Sequence, residues 1–231
     1  MRAAGRAVVL GGLAVLAAGA ISGALLDGTW LWLHWLCKPL ATLWLIAWVA
    51  GMGVPAAGRR YRRWVLAGLC LSLLGDVLLM LPQGLFVPGL VAFLLAHLCY
   101  IVAFAPGAAG RRWWPALLLV GVLALLNLVG LWPRLPAPMQ LPVGLYVLVI
   151  AVMAVLALAA GMASRSPPGA RHAAVGAMMF MISDSWLAWD RFAGPLPWAI
   201  AGVLLTYWTA QYLIAVSCQP TAPGQVGSTG Q

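Results

Sequence analysis

Long apolar stretches alternate with short polar segments along almost the whole chain. A helix needs about 20 mostly apolar residues to cross a bilayer, so each stretch is a candidate span. Cutting the chain at its Arg, Pro and Gly clusters predicts eight of them. The predicted spans are Ala7–Leu26, Leu36–Val54, Trp64–Leu81, Gly89–Phe104, Trp113–Leu131, Val143–Met162, Ala173–Trp189 and Trp198–Ser217. The pattern therefore predicts an all-α polytopic membrane protein.

The composition excludes a water-soluble fold. Of 231 residues, 64% are hydrophobic and 7% are charged, whereas about 25% of an average soluble domain is charged. We expect one transmembrane domain over residues 1–218 and a disordered tail over residues 219–231, which are rich in Gly, Pro, Ser and Thr. The four cysteines stand singly, so neither a disulfide framework nor a zinc ribbon is predicted.

Positive charge is distributed unevenly between the segments that join the spans. The net charge of +9 comes from 12 Arg and one Lys against four Asp. With the amino terminus inside, ten of these cations fall in inside segments, whereas Lys38, Arg134 and Arg191 fall outside. Inside loops of membrane proteins carry an excess of Lys and Arg. We therefore expect both termini in the cytoplasm and no nucleic-acid partner.

Two of the predicted helices share a spacing that suggests an internal repeat. Gly68 precedes Asp76 by eight residues, and Gly176 precedes Asp184 by eight. A duplication of four helices plus four would place both halves in the same orientation, which is a parallel repeat. Chance similarity between two leucine-rich helices explains the match equally well.

Two carboxyl groups lie inside predicted spans. An ionised carboxylate at mid-membrane costs about 2.5 to 3.5 kcal/mol, so it needs a partner, a proton or a function. Asp76 and Asp184 each lie in the latter part of a span that runs from inside to outside. We therefore expect them at similar depth, in the outer half of the membrane, as the reactive pair. Asp190 is interpreted instead as an interfacial charge paired with Arg191.

Further polar side chains occupy helix faces that can converge with the two carboxylates. Ser72 lies one turn before Asp76, and helical spacing places His97 with Tyr100 and Tyr207 with Gln211. The candidate substrate-binding residues are Lys38, Ser72, His97, Tyr100, Ser183, Tyr207 and Gln211. The alternative is that such groups join helices by hydrogen bonds of about 0.6 kcal/mol each. This alternative applies above all to Ser72, Asn127, Thr206 and Thr209.

The histidines give little support for a metal site. His34 and His172 lie near predicted helix ends and are interpreted as interfacial. A zinc ion would need His97 together with both intramembrane Asp residues. We therefore expect no metal and no cofactor.

Five short motifs follow one another along the chain. They are Lys38-Pro39, Ser72-x-x-Gly75-Asp76, Phe93-x-x-x-His97-x-x-Tyr100, Phe180-x-x-Ser183-Asp184 and Tyr207-x-x-x-Gln211. In this order they resemble the signature of the YhhN-type lysoplasmalogenases, over about residues 7–217. The resemblance implies an integral membrane hydrolase that cleaves the vinyl ether bond of a lysoplasmalogen. It also implies that the catalytic pair is Asp76 and Asp184 and that the substrate is a lysophospholipid in the bilayer.

Vinyl ether hydrolysis suits a pair of carboxyl groups. Protonation at carbon gives an oxocarbenium ion, water captures this ion, and the hemiacetal collapses to an aldehyde and an alcohol. Desolvation and mutual repulsion let one carboxyl group keep a proton while its neighbour stays ionised. The pair can therefore supply an acid and a base, although the sequence does not say which residue is which.

Two other functions use the same residues. Paired intramembrane Asp residues and an internal repeat are also typical of a proton-coupled small-molecule transporter, and a non-catalytic lipid-binding scaffold is the third possibility. The Ala, Gly, Leu and Arg bias with a single Lys is typical of a GC-rich bacterial genome, which predicts an inner-membrane location. The headgroup preference and the oligomeric state leave no trace in the sequence.

Overall fold

The computed structural model describes residues 2–81, 83–164 and 166–219, and only the backbone of residues 2–4. These residues form eight α-helices, three single turns of 3-10 helix and no strand. The helices are α1 (Arg2–Leu26), α2 (Leu31–Ala50), α3 (Arg59–Met80), α4 (Phe86–Ala108), α5 (Trp114–Leu131), α6 (Ala137–Gly161), α7 (Ala170–Ala193) and α8 (Ala199–Ser217). The predicted all-α class and the eight predicted helices are confirmed.

Most of the helices extend beyond the apolar stretches that predicted them. Helix α6 begins at Ala137 rather than Val143, and Pro142 lies inside it. Helix α7 begins at Ala170 and continues past Trp189 to Ala193. Hydropathy marks where a segment enters the apolar layer, whereas backbone hydrogen bonds continue into the polar interface. A proline is tolerated in a membrane helix because neighbouring groups satisfy the freed carbonyl.

Seven of the eight helices are long and apolar enough to cross a membrane. The exception is α7, which has 24 residues but carries Asp184, Asp190, Arg171 and Arg191. At 1.5 Å per residue it is about 36 Å long, which is sufficient for a bilayer core of about 30 Å. Helix α7 packs against α4, α5, α6 and α8, so its polar residues have protein neighbours.

Close packing of α3 against α4 depends on two glycines. A Cβ atom at Gly68 would overlap the ring of Tyr100, and one at Gly75 would overlap the ring of Phe93. Small residues let the backbones of two membrane helices approach each other. Because Gly75 precedes Asp76, this contact fixes the height of that carboxylate relative to α4.

The two ends of the helix bundle differ in charge. The side chain of Arg6 in α1 donates a hydrogen bond to Gln219, just after α8, so the first and last helices meet at one end of the bundle. We call this the arginine end. The described arginines there are Arg6, Arg59, Arg60, Arg62, Arg63, Arg111, Arg112 and Arg171.

Several predictions about topology are not tested by the fold. The orientation in the membrane, the parallel repeat and the single domain over residues 1–218 stay predictions. Of the predicted tail, residues 220–231 lie outside the described residues.

Two residues that are interpreted as interfacial have partners within the protein. His34 is buried, and its Nδ1 lies 2.9 Å from the carbonyl oxygen of Ala20, where α1 and α2 pack together. Asp190 accepts a hydrogen bond of 2.9 Å from the backbone amide of Leu196, and Arg191 lies over the ring of Phe86. The reason in both cases is that a neighbouring segment supplies a partner that the local sequence does not reveal.

Candidate active site

Asp76 is held by three side chains from two other helices. Its Oδ2 accepts hydrogen bonds of 2.8 Å from the Thr42 hydroxyl and 2.7 Å from the Tyr207 hydroxyl. Its Oδ1 lies 3.9 Å from the Lys38 ammonium nitrogen. Lys38 is 8% exposed and Asp76 is 2% exposed, so the ion pair is shielded from solvent. Two hydrogen-bond donors and a cation around one carboxyl group stabilise its ionised form.

A hydrogen-bond chain fixes the direction in which Tyr207 donates. The Tyr100 hydroxyl donates to Gln211 Oε1 at 2.7 Å, and Gln211 Nε2 donates to the Tyr207 hydroxyl at 3.2 Å. The Tyr207 hydroxyl therefore accepts from Gln211 and donates its own proton to Asp76. Every donor in this chain points towards Asp76, which supports a negative charge on that residue.

Asp184 has fewer polar partners than Asp76. Its Oδ2 accepts a hydrogen bond of 2.6 Å from the Tyr146 hydroxyl and lies 3.8 Å from His97 Nε2. The second distance is too long for a direct hydrogen bond. The His97 side chain is fully buried, and within the described part of the chain neither ring nitrogen has a hydrogen-bond partner. Buried polar atoms are normally satisfied, so the His97 ring is free to bond a polar group of a bound molecule.

Aromatic rings connect the surroundings of the two carboxylates. The ring centroid of Phe180 lies 5.5 Å from that of Tyr207 and 4.6 Å from that of His97, and both pairs pack edge to face. Phe180 thus packs against Tyr207, which bonds to Asp76, and against His97, which lies beside Asp184. Among the described residues Asp76 and Asp184 share no hydrogen-bond partner, and their coupling as one reactive pair stays a prediction.

A cavity of about 470 Å³ opens beside Asp184, towards the end of the bundle opposite the arginine end. Its walls come from α3, α4, α5, α6 and α7, and most of the lining side chains are apolar. The polar lining residues are Asn127, Tyr146, Asp184 and Ser185. The Asp184 side chain is 16% exposed. A carboxyl group therefore lies at the wall of a chamber that suits a hydrocarbon chain.

The structure brings most of the predicted site residues to these two clusters. Lys38 and Tyr207 contact Asp76, His97 lies beside Asp184, and Tyr100 and Gln211 act through Tyr207. Ser72 is buried next to Tyr100, one turn from Asp76.

Ser183 lies apart from both carboxylates. Its hydroxyl donates a hydrogen bond of 3.0 Å to the carbonyl oxygen of Val203, which fastens α7 to α8. Adjacent residues of a helix point about 100° apart, and this rotation turns the Ser183 hydroxyl towards α8.

Two residues that hold the carboxylates are absent from the sequence prediction. Thr42 donates to Asp76, and Tyr146 donates to Asp184. Thr42 lies one helical turn after Lys38, so it shares the face of a residue that was predicted. Tyr146 is the only hydroxyl-bearing residue in α6, a helix that is otherwise almost entirely apolar. Both signals were available in the sequence.

Comparisons with known proteins agree on one family. A model described as the YhhN family matches residues 33–218. Lysoplasmalogenase TMEM86A of Bos taurus is 36% identical over 190 residues, covering 78% of this chain and 75% of the relative. Lysoplasmalogenase TMEM86B of Homo sapiens is 38% identical over 184 residues, covering 78% of this chain and 72% of the relative. A lysoplasmalogenase of Mycobacterium bovis is 37% identical over 163 residues, covering 64% of this chain and 60% of the relative. No solved structure matches the chain significantly.

Proposed function

This chain belongs to the YhhN family and is an enzyme with lysoplasmalogenase activity, and we propose that it hydrolyses the vinyl ether bond of lysoplasmalogens in a bacterial inner membrane. The products are a fatty aldehyde and glycerophosphoethanolamine or glycerophosphocholine. The observation that carries this proposal is the Asp184 carboxyl group at the wall of a largely apolar cavity inside a helical membrane protein. The long alkenyl chain fits the apolar part of the chamber and leaves the vinyl ether near Asp184.

Asp184 is the acid in this proposal. With one hydrogen bond from Tyr146 and apolar walls around it, a neutral carboxyl group is better accommodated than a charged one. Asp184 transfers its proton to the alkenyl carbon that does not carry oxygen. The oxygen-bearing carbon becomes an oxocarbenium ion, and Asp184 is left as a carboxylate beside it.

A water molecule completes the reaction. Water adds to the oxygen-bearing carbon and returns one proton to Asp184, which restores the acid. The hemiacetal then breaks its bond to the glycerol oxygen, giving the aldehyde and the free alcohol. We place this water beside His97 Nε2 and Asp184 Oδ2, within hydrogen-bond reach of both, because at 3.8 Å these two atoms do not bond directly to each other.

Asp76 is the ionised member of the pair. Lys38, Thr42 and Tyr207 keep it charged, and its negative charge stabilises the oxocarbenium ion. Tyr100 and Gln211 are positioning residues, because they hold the Tyr207 hydroxyl in its donating direction. The two carboxyl groups therefore have different tasks, set by different surroundings.

Purified protein in detergent tests the activity directly. We expect aldehyde from lysoplasmenylethanolamine but none from the analogue with a saturated alkyl ether, because that analogue has no double bond to protonate. In water enriched in ¹⁸O, the released glycerophosphoethanolamine should carry no label, since the bond that breaks lies on the alkenyl side of the ether oxygen. A transporter would release no aldehyde and would instead move lysolipid across a vesicle membrane, and that result would overturn the proposal.

The two serines beside Asp184 provide a matched test of where the substrate lies. Ser185 lines the cavity, whereas the Ser183 hydroxyl is bonded to Val203. We expect Ser185→Ala to raise KM severalfold. Ser183→Ala should leave KM unchanged and lower the free energy of unfolding by about 0.6 kcal/mol. Steady-state kinetics and thermal unfolding measure the two effects, and the opposite pattern would move the substrate to the α8 side of α7.

A further inference from the structure

A second cavity, of about 560 Å³, lies at the arginine end of the bundle. The start of α3, the ends of α4, α6 and α8, and the start of α7 form its walls. It is therefore separate from the cavity beside Asp184, which the opposite ends of α4, α6 and α7 enclose. Most of its lining side chains are apolar, and Arg60 is the one charged side chain among the described residues that line it.

The arginine end has no acidic side chain to balance its cations. The four Asp residues of the chain are Asp27, Asp76, Asp184 and Asp190, and the chain has no Glu. Asp27 follows the far end of α1, Asp190 lies in the last turns of α7, and Asp76 and Asp184 lie within the bundle. Asp76 comes 16 residues after Arg60 in the same helix, a distance of about 24 Å. Arg60 therefore has no acidic side chain of this chain within reach, and its charge is available to an anionic ligand.

Other arginines at this end have identified roles in the protein. Arg62 donates to backbone carbonyls of Ala50 and Met52, Arg6 donates to Gln219, and Arg112 lies over the ring of Trp114. Arg60 instead stands at the wall of the cavity together with Tyr61 and Trp64. A tryptophan at the membrane interface marks the depth of lipid headgroups.

We propose that this cavity binds an anionic phospholipid of the adjacent leaflet. The headgroup phosphate pairs with the Arg60 guanidinium, and one acyl chain lies against the apolar residues of α4, α6 and α7. Basic pockets between membrane helices are known to bind anionic lipid headgroups in this way. Guanidinium and phosphate form charge-assisted hydrogen bonds in a two-point geometry. This site does not depend on the proposed hydrolysis and does not take part in it.

The apolar lining favours a lipid over a free phosphate ion. Pro106, Ala160 and Ala173 line the cavity and offer a phosphate ion no hydrogen bond from their side chains, but they provide contact surface for a hydrocarbon chain. Glycerol 3-phosphate and phosphatidylglycerol share the same phosphate chemistry. Only phosphatidylglycerol also has an acyl chain for the apolar part of the cavity. A comparison of the two compounds therefore distinguishes a lipid ligand from a free phosphate compound.

Thermal unfolding of the full-length protein in a non-ionic detergent tests the proposal. Phosphatidylglycerol should raise Tm by about 3 °C when it is present at roughly ten times its Kd. Phosphatidylcholine and glycerol 3-phosphate at the same concentration should leave Tm unchanged. Arg60→Gln should lose the shift, whereas Arg112→Gln, which removes the same charge outside the cavity, should keep it.

Two further results decide the outcome. Ala57 is an exposed residue at the cavity wall, so Ala57→Phe obstructs the cavity without changing any charge and should also lose the shift. This variant replaces Arg60→Gln as the test if the latter does not fold. An equal loss in Arg60→Gln and Arg112→Gln would mean that general surface charge attracts the lipid, and a shift with glycerol 3-phosphate would mean that the site binds a free anion. Either result overturns the proposal.

Discussion

Asp184→Asn is expected to lower the rate of aldehyde release by about a thousandfold, because a carboxamide cannot transfer a proton to carbon and general acid catalysis contributes about 10² to 10⁴ in rate. The shape of the side chain is retained, and the amide oxygen still accepts the hydrogen bond from Tyr146. The helices should therefore stay packed, and the loss should appear in kcat rather than in KM. Initial rates with lysoplasmenylethanolamine at several concentrations separate these two quantities.

Asp190→Asn is the matched control for this experiment. Asp190 lies on the same helix, six residues further along the chain. Its carboxylate accepts a hydrogen bond from the backbone amide of Leu196, and Asp190 is not among the residues that line the cavity. The control should keep nearly full activity. If Asp184→Asn retained more than a tenth of the wild-type rate, Asp184 would not be the acid.

The buried ion pair between Lys38 and Asp76 gives the second large effect. Removing one partner of a buried pair costs about 3 kcal/mol or more, because the other charge is left unpaired in an apolar interior. We expect Asp76→Asn and Lys38→Met each to lower the stability of the protein by about this amount. The double variant should regain most of the stability, since no unpaired charge remains.

Activity should not follow stability in this series. The double variant lacks the negative charge that stabilises the oxocarbenium ion, so it should stay at least about a hundredfold less active than the wild type. Thermal unfolding and aldehyde release, measured on the two single variants and the double variant, check both statements. A stable and fully active double variant would limit Asp76 to a structural role. Equal and additive losses of stability would show that the two side chains are not coupled.

Much of the fold could be predicted from hydropathy alone. Apolar stretches of membrane length between arginine clusters are a strong local signal, so the eight helices follow from the sequence. The two carboxylates also stand out, because a charged group in an apolar helix requires an explanation. Tyr207 and Gln211 lie four residues apart, and the structure joins them by a hydrogen bond.

The sequence marks Thr42 and Tyr146 as unusual, but it does not show which carboxylate each of them contacts. Thr42 and Asp76 are 34 residues apart, and Tyr146 and Asp184 are 38 apart. Their meeting depends on which faces of distant helices pack together, and a hydroxyl in a membrane helix often serves only to join helices. Ser183 is a contrasting example. Its position next to Asp184 in the sequence predicts a shared site, but its hydroxyl bonds to the backbone of α8.

The polarity of α7 has a consequence for biosynthesis. This helix holds the proposed acid and is the one described helix too polar to qualify as a span by its own composition. Residues 194–198 form a short connection to α8, which packs along α7 and accepts the Ser183 hydrogen bond. During translation, α7 therefore has its most extensive partner only once the last helix has left the ribosome. The two would enter the lipid as a hairpin, so a chain that ends early would lack a stable reactive centre.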